Sequence, residues 1–312
     1  MTIRKSAPAL LQRLQHGLSS PPVELIYASH SQWPFPQPWS PQQNPDRLLS
    51  ISVLDSSFNP PTVAHLALAN SHPPPTQTHY DAKLLLLSVK NADKTLKPGD
   101  ASYLQRLEMM YLLSQHIRTG TSSDDPATPE NVNIAIAIID EPTFVGKSDA
   151  LLKFLKQRFV GLSRANVTAS SDVELTFLVG LDTLERLFSP RYYHSEAAMV
   201  SSLRKFLSPG PEGDNSRLVC VNRTFAPSTA LQVSEELEGA NTSDYTKEFI
   251  DSGRAAVVEI GEHLSTYSSS AVRSAIGTFG LGQTGGNPAW RNFVTKEVAE
   301  YIVEQRLYES DS

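Results

Sequence analysis

Six short apolar runs alternate with helix-compatible segments, and this alternation limits the folds open to the chain more than any other feature. The runs are Ile51-Ser52-Val53-Leu54, then residues 83–89 (KLLLLSV), 132–139 (VNIAIAII), 175–179 (LTFLV), 218–221 (LVCV) and 255–260 (AAVVEI). Helical character falls between them at 103–117, 150–159, 183–188, 197–206, 230–237 and 244–252, and a closing helix is expected at 294–306. Short apolar runs rich in β-branched residues read as buried strands, and strands separated by helices pair in parallel. The prediction is an α/β protein, a doubly wound parallel sheet with helices on both faces. Ligands of such sheets bind beyond the carboxyl ends of the strands.

The first strand leads into Asp55-Ser56-Ser57, a turn at Asn59-Pro60-Pro61, and Thr62, a good N-cap for the helix starting at Val63. The first N–H groups of a helix lack internal acceptors, and its dipole adds positive charge there, so this loop suits an anion. Ser56 and Ser57 add donors, and His65 sits in the first helical turn. An ordinary strand–helix unit with a capped helix and a half-buried histidine accounts for the same residues. Far downstream, Tyr267-Ser268-Ser269-Ser270-Ala271-Val272-Arg273 is a second polar run entering a helix, with Arg273 about a turn inside.

Together, SFNPPTVAH at 57–65 and YSSSAVR at 267–273 resemble the two signatures of the nucleotidyltransferase superfamily, GxFxPxT/HxxH and ISSTxxR. The resemblance is nearest to the nicotinamide mononucleotide adenylyltransferases, especially eukaryotic members and divergent fungal relatives. Three further stretches fit in order: VKNADK at 89–94 resembles a basic segment after the second core strand, LVGLD at 178–182 a strand ending in Gly-x-Asp, and residues 290–308 the C-terminal helix. The resemblance implies a single Rossmann-like nucleotidyltransferase domain over 49–312, preceded by an N-terminal extension over 1–48. It implies transfer of AMP from ATP, with Mg²⁺, to nicotinamide mononucleotide, giving NAD and pyrophosphate. Within that reading His65 donates to the α-phosphate, Arg273 holds the leaving phosphates, and Lys94 or Lys90 offsets phosphate charge. Ser56, Ser57, Phe58, Thr62, Gly180, Asp182, Arg223, Ser269 and Ser270 complete the expected nucleotide and phosphate contacts. Asp182 either orients ribose or caps the following helix.

The chain departs from the pattern at several points. Ser56 stands at a glycine position, Ala64 replaces a common glycine, and Thr62 stands at the first histidine position, as in eukaryotic members. No tryptophan follows the third strand to stack a pyridine ring; Phe144 is the aromatic residue there. A different acceptor, or a nucleotide-binding or ATP-hydrolysing regulatory role, remains compatible with the same His65 and Arg273.

Composition narrows the alternatives. A formal net charge of -6 argues against broad nucleic-acid binding. Cys220 is the only cysteine, so neither an intrachain disulfide nor a cysteine-based metal cluster can form. No apolar run approaches the length that spans a bilayer. Residues 1–17 are basic, with a helix expected at 10–18 closed by Gly17, but lack a signal peptide's apolar core. A mitochondrial presequence competes with packing of that amphipathic face on the domain, and packing is preferred, giving a cytoplasmic or nuclear protein. Residues 23–28 (VELIYA) are expected to add an edge strand. Residues 33–45 (WPFPQPWSPQQNP) exclude helix or central strand. They serve either as a polyproline segment for a protein partner or second copy, or by packing Trp33, Phe35 and Trp39 on the domain. Gly-x-Ser-x-Gly and His-Glu-x-x-His are absent, which leaves no motif for a hydrolase triad or a protein-held metal. Gly280-x-Gly282 follows a helix, the wrong context for a dinucleotide fingerprint.

Overall fold

The computed structural model describes residues 3–37, 48–73, 79–90, 97–118, 133–163, 172–222, 244–259, 267–282 and 288–309. In chain order the regular elements are α1 (Ile3–Gln15), β1 (Val23–Ala28), β2 (Leu49–Asp55), α2 (Val63–Ala69), β3 (Ala82–Ser88) and α3 (Tyr103–Ser114). They continue with β4 (Ile134–Ile139), α4 (Phe144–Ser163), β5 (Val173–Gly180), α5 (Leu181–Leu187), α6 (Glu196–Leu207) and β6 (Arg217–Asn222). The last are α7 (Asp244–Asp251), β7 (Ala255–Glu259), α8 (Ser269–Phe279) and α9 (Lys296–Glu304), with short 3-10 turns at Pro190–Tyr192 and Ala289–Phe293.

All six expected strands lie in one sheet, ordered β1-β4-β3-β2-β5-β6-β7. From β4 to β7 every pairing is parallel, and only the added edge strand β1 runs antiparallel, against β4. The chain builds outward from β2 through β3 to β4, then returns to the other side of β2 and builds outward again through β5, β6 and β7. The direction of winding therefore reverses between β2 and β5, and helices leaving those two strands diverge to leave a crevice.

Strand alternation divides the core. Ile51, Val53, Leu84, Leu86 and Phe177 face a cluster completed by α4, α5 and α6. Leu54, Leu85, Leu87 and Leu178 face the opposite cluster, formed by α1, α2 and α3. A third cluster around Trp290 joins α8 and α9 to α3. The N-terminal residues belong to these cores: Trp33 and Phe35 are buried at 0% and 1% exposure, and the Phe35 ring lies 5.1 Å from that of Phe159. These two aromatics are thus unavailable to a partner, while Trp39 lies outside the described residues.

Three elements differ from the sequence expectation. Helix α1 begins at Ile3 rather than at residue 10, because Ile3, Ala7 and Leu14 share a buried face and Arg4 pairs with Glu108 of α3 at 2.5 Å. Helix α4 begins at Phe144, ahead of the apolar run at 150–159, since Thr143 Oγ1 accepts the Gly146 N–H at 3.1 Å and starts the helix early. Helix α5 is capped by Gly180, which places Asp182 inside the helix and removes it as the cap. The expected helix at 230–237, and the segment 119–131, lie outside the described residues.

Candidate active site

A cavity of about 1020 Å³ opens over the carboxyl ends of the central strands. Its lining includes Leu54 and Asp55 of β2, Ser88 of β3 and Leu178 and Gly180 of β5, so it sits at the reversal of winding. On one side lie the loop after β2, the start of α2 and the start of α8. On the other lie the first turn of α4 and α5, with Tyr192 and Tyr193 beyond them.

The two serine-bearing loops are tied together directly. Ser269 Oγ donates to the Pro60 carbonyl at 2.7 Å, and the Thr62 hydroxyl donates to the Tyr267 carbonyl at 3.2 Å. Arg273 reaches back across the same junction and donates through Nη1 to the Asn59 carbonyl at 2.5 Å. The start of α8 is capped by Ser268, whose hydroxyl accepts the Ala271 N–H at 3.1 Å. Two helix starts and one guanidinium therefore converge on the cavity, concentrating positive potential there.

His65 is held at both nitrogens. The Thr62 N–H donates to Nδ1 at 3.0 Å, which requires a lone pair on Nδ1 and puts the neutral ring's proton on Nε2. Nε2 lies 2.9 Å from Ser56 Oγ, at the cavity wall. The ring packs 5.3 Å from that of Phe58, which is wholly buried and takes a left-handed φ of 45°. That conformation costs a non-glycine residue about 1 kcal/mol or more and is held by the surrounding packing.

Below the loop, Asn59 acts as a hub. Its Nδ2 donates to Asp100 at 2.7 Å, and its Oδ1 accepts the Ala101 N–H at 3.2 Å and the Tyr308 hydroxyl at 2.9 Å. Arg106, only 6% exposed, donates to the Ala101 and Ser57 carbonyls and lies 3.6 Å from Asp100. Burial alone would push the Asp100 carboxyl up, but the Lys97 N–H, the Asn59 amide, Arg106 and Arg273 outweigh it and hold it below the usual carboxylate range. Burial pushes the Tyr308 hydroxyl up and keeps it a neutral donor to Asn59.

The expected site residues fall into four groups. Ser56, Ser57, His65, Phe144, Gly180, Ser269, Ser270 and Arg273 line the cavity together. Phe58 and Thr62 do not: both are 0% exposed and brace His65 from behind, which corrects the expectation that they touch phosphate. Lys90 is exposed and paired with Asp140 at 2.7 Å, away from the lining. Lys94 and Arg223 lie outside the described residues, as does the side chain of Asp182. Sequence reasoning missed Asn59, Asp100, Asp55 and Lys147. Only the spacing Thr62-x-x-His65, a capping-box pattern with histidine in place of glutamate, carried a readable signal for how His65 is fixed.

The fold is that of a doubly wound α/β protein, a class whose ligands bind at the switch point beyond the carboxyl ends of the strands, where this cavity lies. No protein-family model matches the chain. Over 188 residues it is 33% identical to a Schizosaccharomyces pombe protein provisionally named nicotinamide mononucleotide adenylyltransferase. That match covers 60% of this chain and 59% of the relative, so the chain spans less than two thirds of its relative's length. Among solved structures, a Plasmodium falciparum nicotinic acid mononucleotide adenylyltransferase complexed with APC superposes with a TM-score of 0.46 at 13% identity, covering 83% of this chain and 97% of that one. The same enzyme complexed with NaAD gives 0.45 at 14% identity, with the same coverage.

Proposed function

We propose that the chain is an adenylyltransferase that joins AMP from MgATP to nicotinamide mononucleotide, giving NAD and pyrophosphate. The observation that carries this reading is the junction at which His65 Nε2, Arg273 and two helix starts meet over the carboxyl edge of the sheet. The similarity to the fission-yeast protein supplies the acceptor. In the reaction a phosphate oxygen of the mononucleotide attacks the α-phosphorus of ATP, and the bond to the α–β bridging oxygen breaks, sending its electron pair out with pyrophosphate. No protein nucleophile is needed. Charge must be held where it develops and two anions must be brought into line.

His65 suits the α-phosphate, because its tautomer presents an N–H rather than a lone pair toward the cavity. Arg273 suits the leaving phosphates, to which a planar guanidinium can donate two parallel hydrogen bonds. Ser56, Ser57 and Ser270 add hydroxyl groups at short range, whereas the Ser269 hydroxyl donates to the Pro60 carbonyl and ties the two loops together; Ser56 Oγ lies 2.9 Å from His65 Nε2. Among the described residues no cluster of three His, Cys, Asp or Glu side chains is arranged to hold a metal. Mg²⁺ would enter with the nucleotide substrate, where it offsets triphosphate charge. No described helix is long and apolar enough to cross a membrane, and the single, buried Cys220 suits a reducing compartment such as cytoplasm or nucleus. Incubation with MgATP and nicotinamide mononucleotide, followed by enzymatic reduction of product at 340 nm (a standard NADH readout), tests the proposal. NAD and pyrophosphate in equal amounts are expected; ATP bound without either product would overturn it.

A further inference from the structure

The side of the cavity away from His65 contains an ion pair that phosphate chemistry does not use. Asp55 is the last residue of β2, and alternation puts its side chain on the face of Val53, toward α4. Lys147, in the first turn of α4, donates to Asp55 Oδ2 at 2.5 Å, and its Nζ lies 4.8 Å from the centre of the Phe144 ring. The two side chains are 6% and 8% exposed, for Lys147 and Asp55 respectively, yet both residues line the cavity. Burying two charges adds little to stability, because desolvation offsets their attraction. A pair kept at a cavity wall beside a flat apolar ring calls for another explanation.

We propose that Asp55 and Lys147 read a primary carboxamide on the acceptor and discriminate against the corresponding carboxylate. This rests on the adenylyl-transfer reading above. The pair presents a hydrogen-bond acceptor and a donor side by side. A carboxamide presents the inverse, an N–H and a carbonyl fixed in one plane on one carbon. Oδ2 of Asp55 takes the ammonium, which leaves Oδ1 to accept the amide N–H, while the ammonium keeps donors for the amide oxygen. A carboxylate in the same place gains Lys147 but faces the carboxylate of Asp55 with no proton between them. Phe144 offers the adjoining surface for the aromatic ring that carries the group.

The test compares kcat/KM for nicotinamide mononucleotide and nicotinate mononucleotide in wild type, Asp55→Asn and the charge-neutral double variant Asp55→Asn/Lys147→Met. Sites built around buried polar pairs discriminate strongly against mismatched groups, so the amide is expected to lead by about tenfold or more in wild type. Asp55→Asn should shift the ratio toward the acid by about tenfold, through KM for the acceptor, with KM for ATP unchanged. The double variant should lose the preference. A purely structural pair would instead slow both acceptors equally, and that unchanged ratio, or a wild-type preference for the acid, overturns the inference while leaving adenylyl transfer intact. Absence of dinucleotide from either acceptor, with ATP still bound, overturns the adenylyl-transfer reading and this inference with it.

Discussion

Replacing Asn59 with alanine should both destabilise the protein and impair the site. Asn59 is 4% exposed, and its side chain makes three hydrogen bonds, one to the charged Asp100 and two to the neutral Ala101 N–H and Tyr308 hydroxyl. A bond to a charged group contributes about 2 kcal/mol and each neutral one about 1, so their joint loss amounts to about 4 kcal/mol. At about 2 °C per kcal/mol for a chain of this size, the melting temperature should fall by about 8 °C. The site suffers because the Asn59 side chain fixes the loop whose main-chain carbonyl, retained in the variant, anchors Arg273, and because Asp100 loses the amide that orients it; kcat/KM for ATP should fall by at least about tenfold. Tyr308→Phe alone should cost about 1 kcal/mol, and nearly nothing further in the Asn59→Ala background, because its partner is already gone. Thermal unfolding and steady-state kinetics on the three variants suffice. A melting temperature within about 2 °C of wild type for Asn59→Ala, or fully additive effects of the two substitutions, would refute the hub.

Other substitutions probe separate parts of the account. Arg273→Lys should lower kcat/KM by roughly 10- to 100-fold although the charge is kept, since an ammonium cannot reproduce the guanidinium's fork; near-normal kinetics would exclude that role. Lys83 is buried, donates to the Ala69 carbonyl at the end of α2, and has its pKa lowered by burial from 10.5 to about 8. Between those values the unfolded chain binds more protons than the folded one, so stability should rise with pH across that window by up to about 3 kcal/mol. Urea denaturation from about pH 7.5 to about pH 10.5 should show the rise in wild type and not in Lys83→Met. Trp33→Ala should cost about 3–5 kcal/mol by urea denaturation, because the ring is fully enclosed; a cost below about 1 kcal/mol would contradict its place in the core.

Much of the fold could be read from the chain because its strands are continuous apolar runs and its helices end at loops of clear composition. The sheet order followed only from the structure, since neighbouring strands β2 and β5 are separated by more than a hundred residues and periodicity carries no pairing information. The helix starts at Ile3 and Phe144 escaped notice because both are set by distant or side-chain contacts, Arg4 to Glu108 and Thr143 to Gly146, rather than by apolar spacing. At the site, His65 and Arg273 could be found from the loops that carry them. Asp55 and Lys147 could not, because an acid at a strand end and a lysine in a helix are ordinary singly, and only folding brings them to 2.5 Å. Phe58 and Thr62 sit inside the readable motif but act on His65 from behind, a distinction that depends on which way each side chain turns.

The central claim is that His65 donates to phosphate during adenylyl transfer, and the kinetics of His65→Ala test it most directly. With MgATP and nicotinamide mononucleotide, pyrophosphate release should fall by about 10²- to 10³-fold in kcat while KM for ATP stays within about twofold, as expected when a donor acts mainly on the transition state. Turnover equal to wild type would contradict the account.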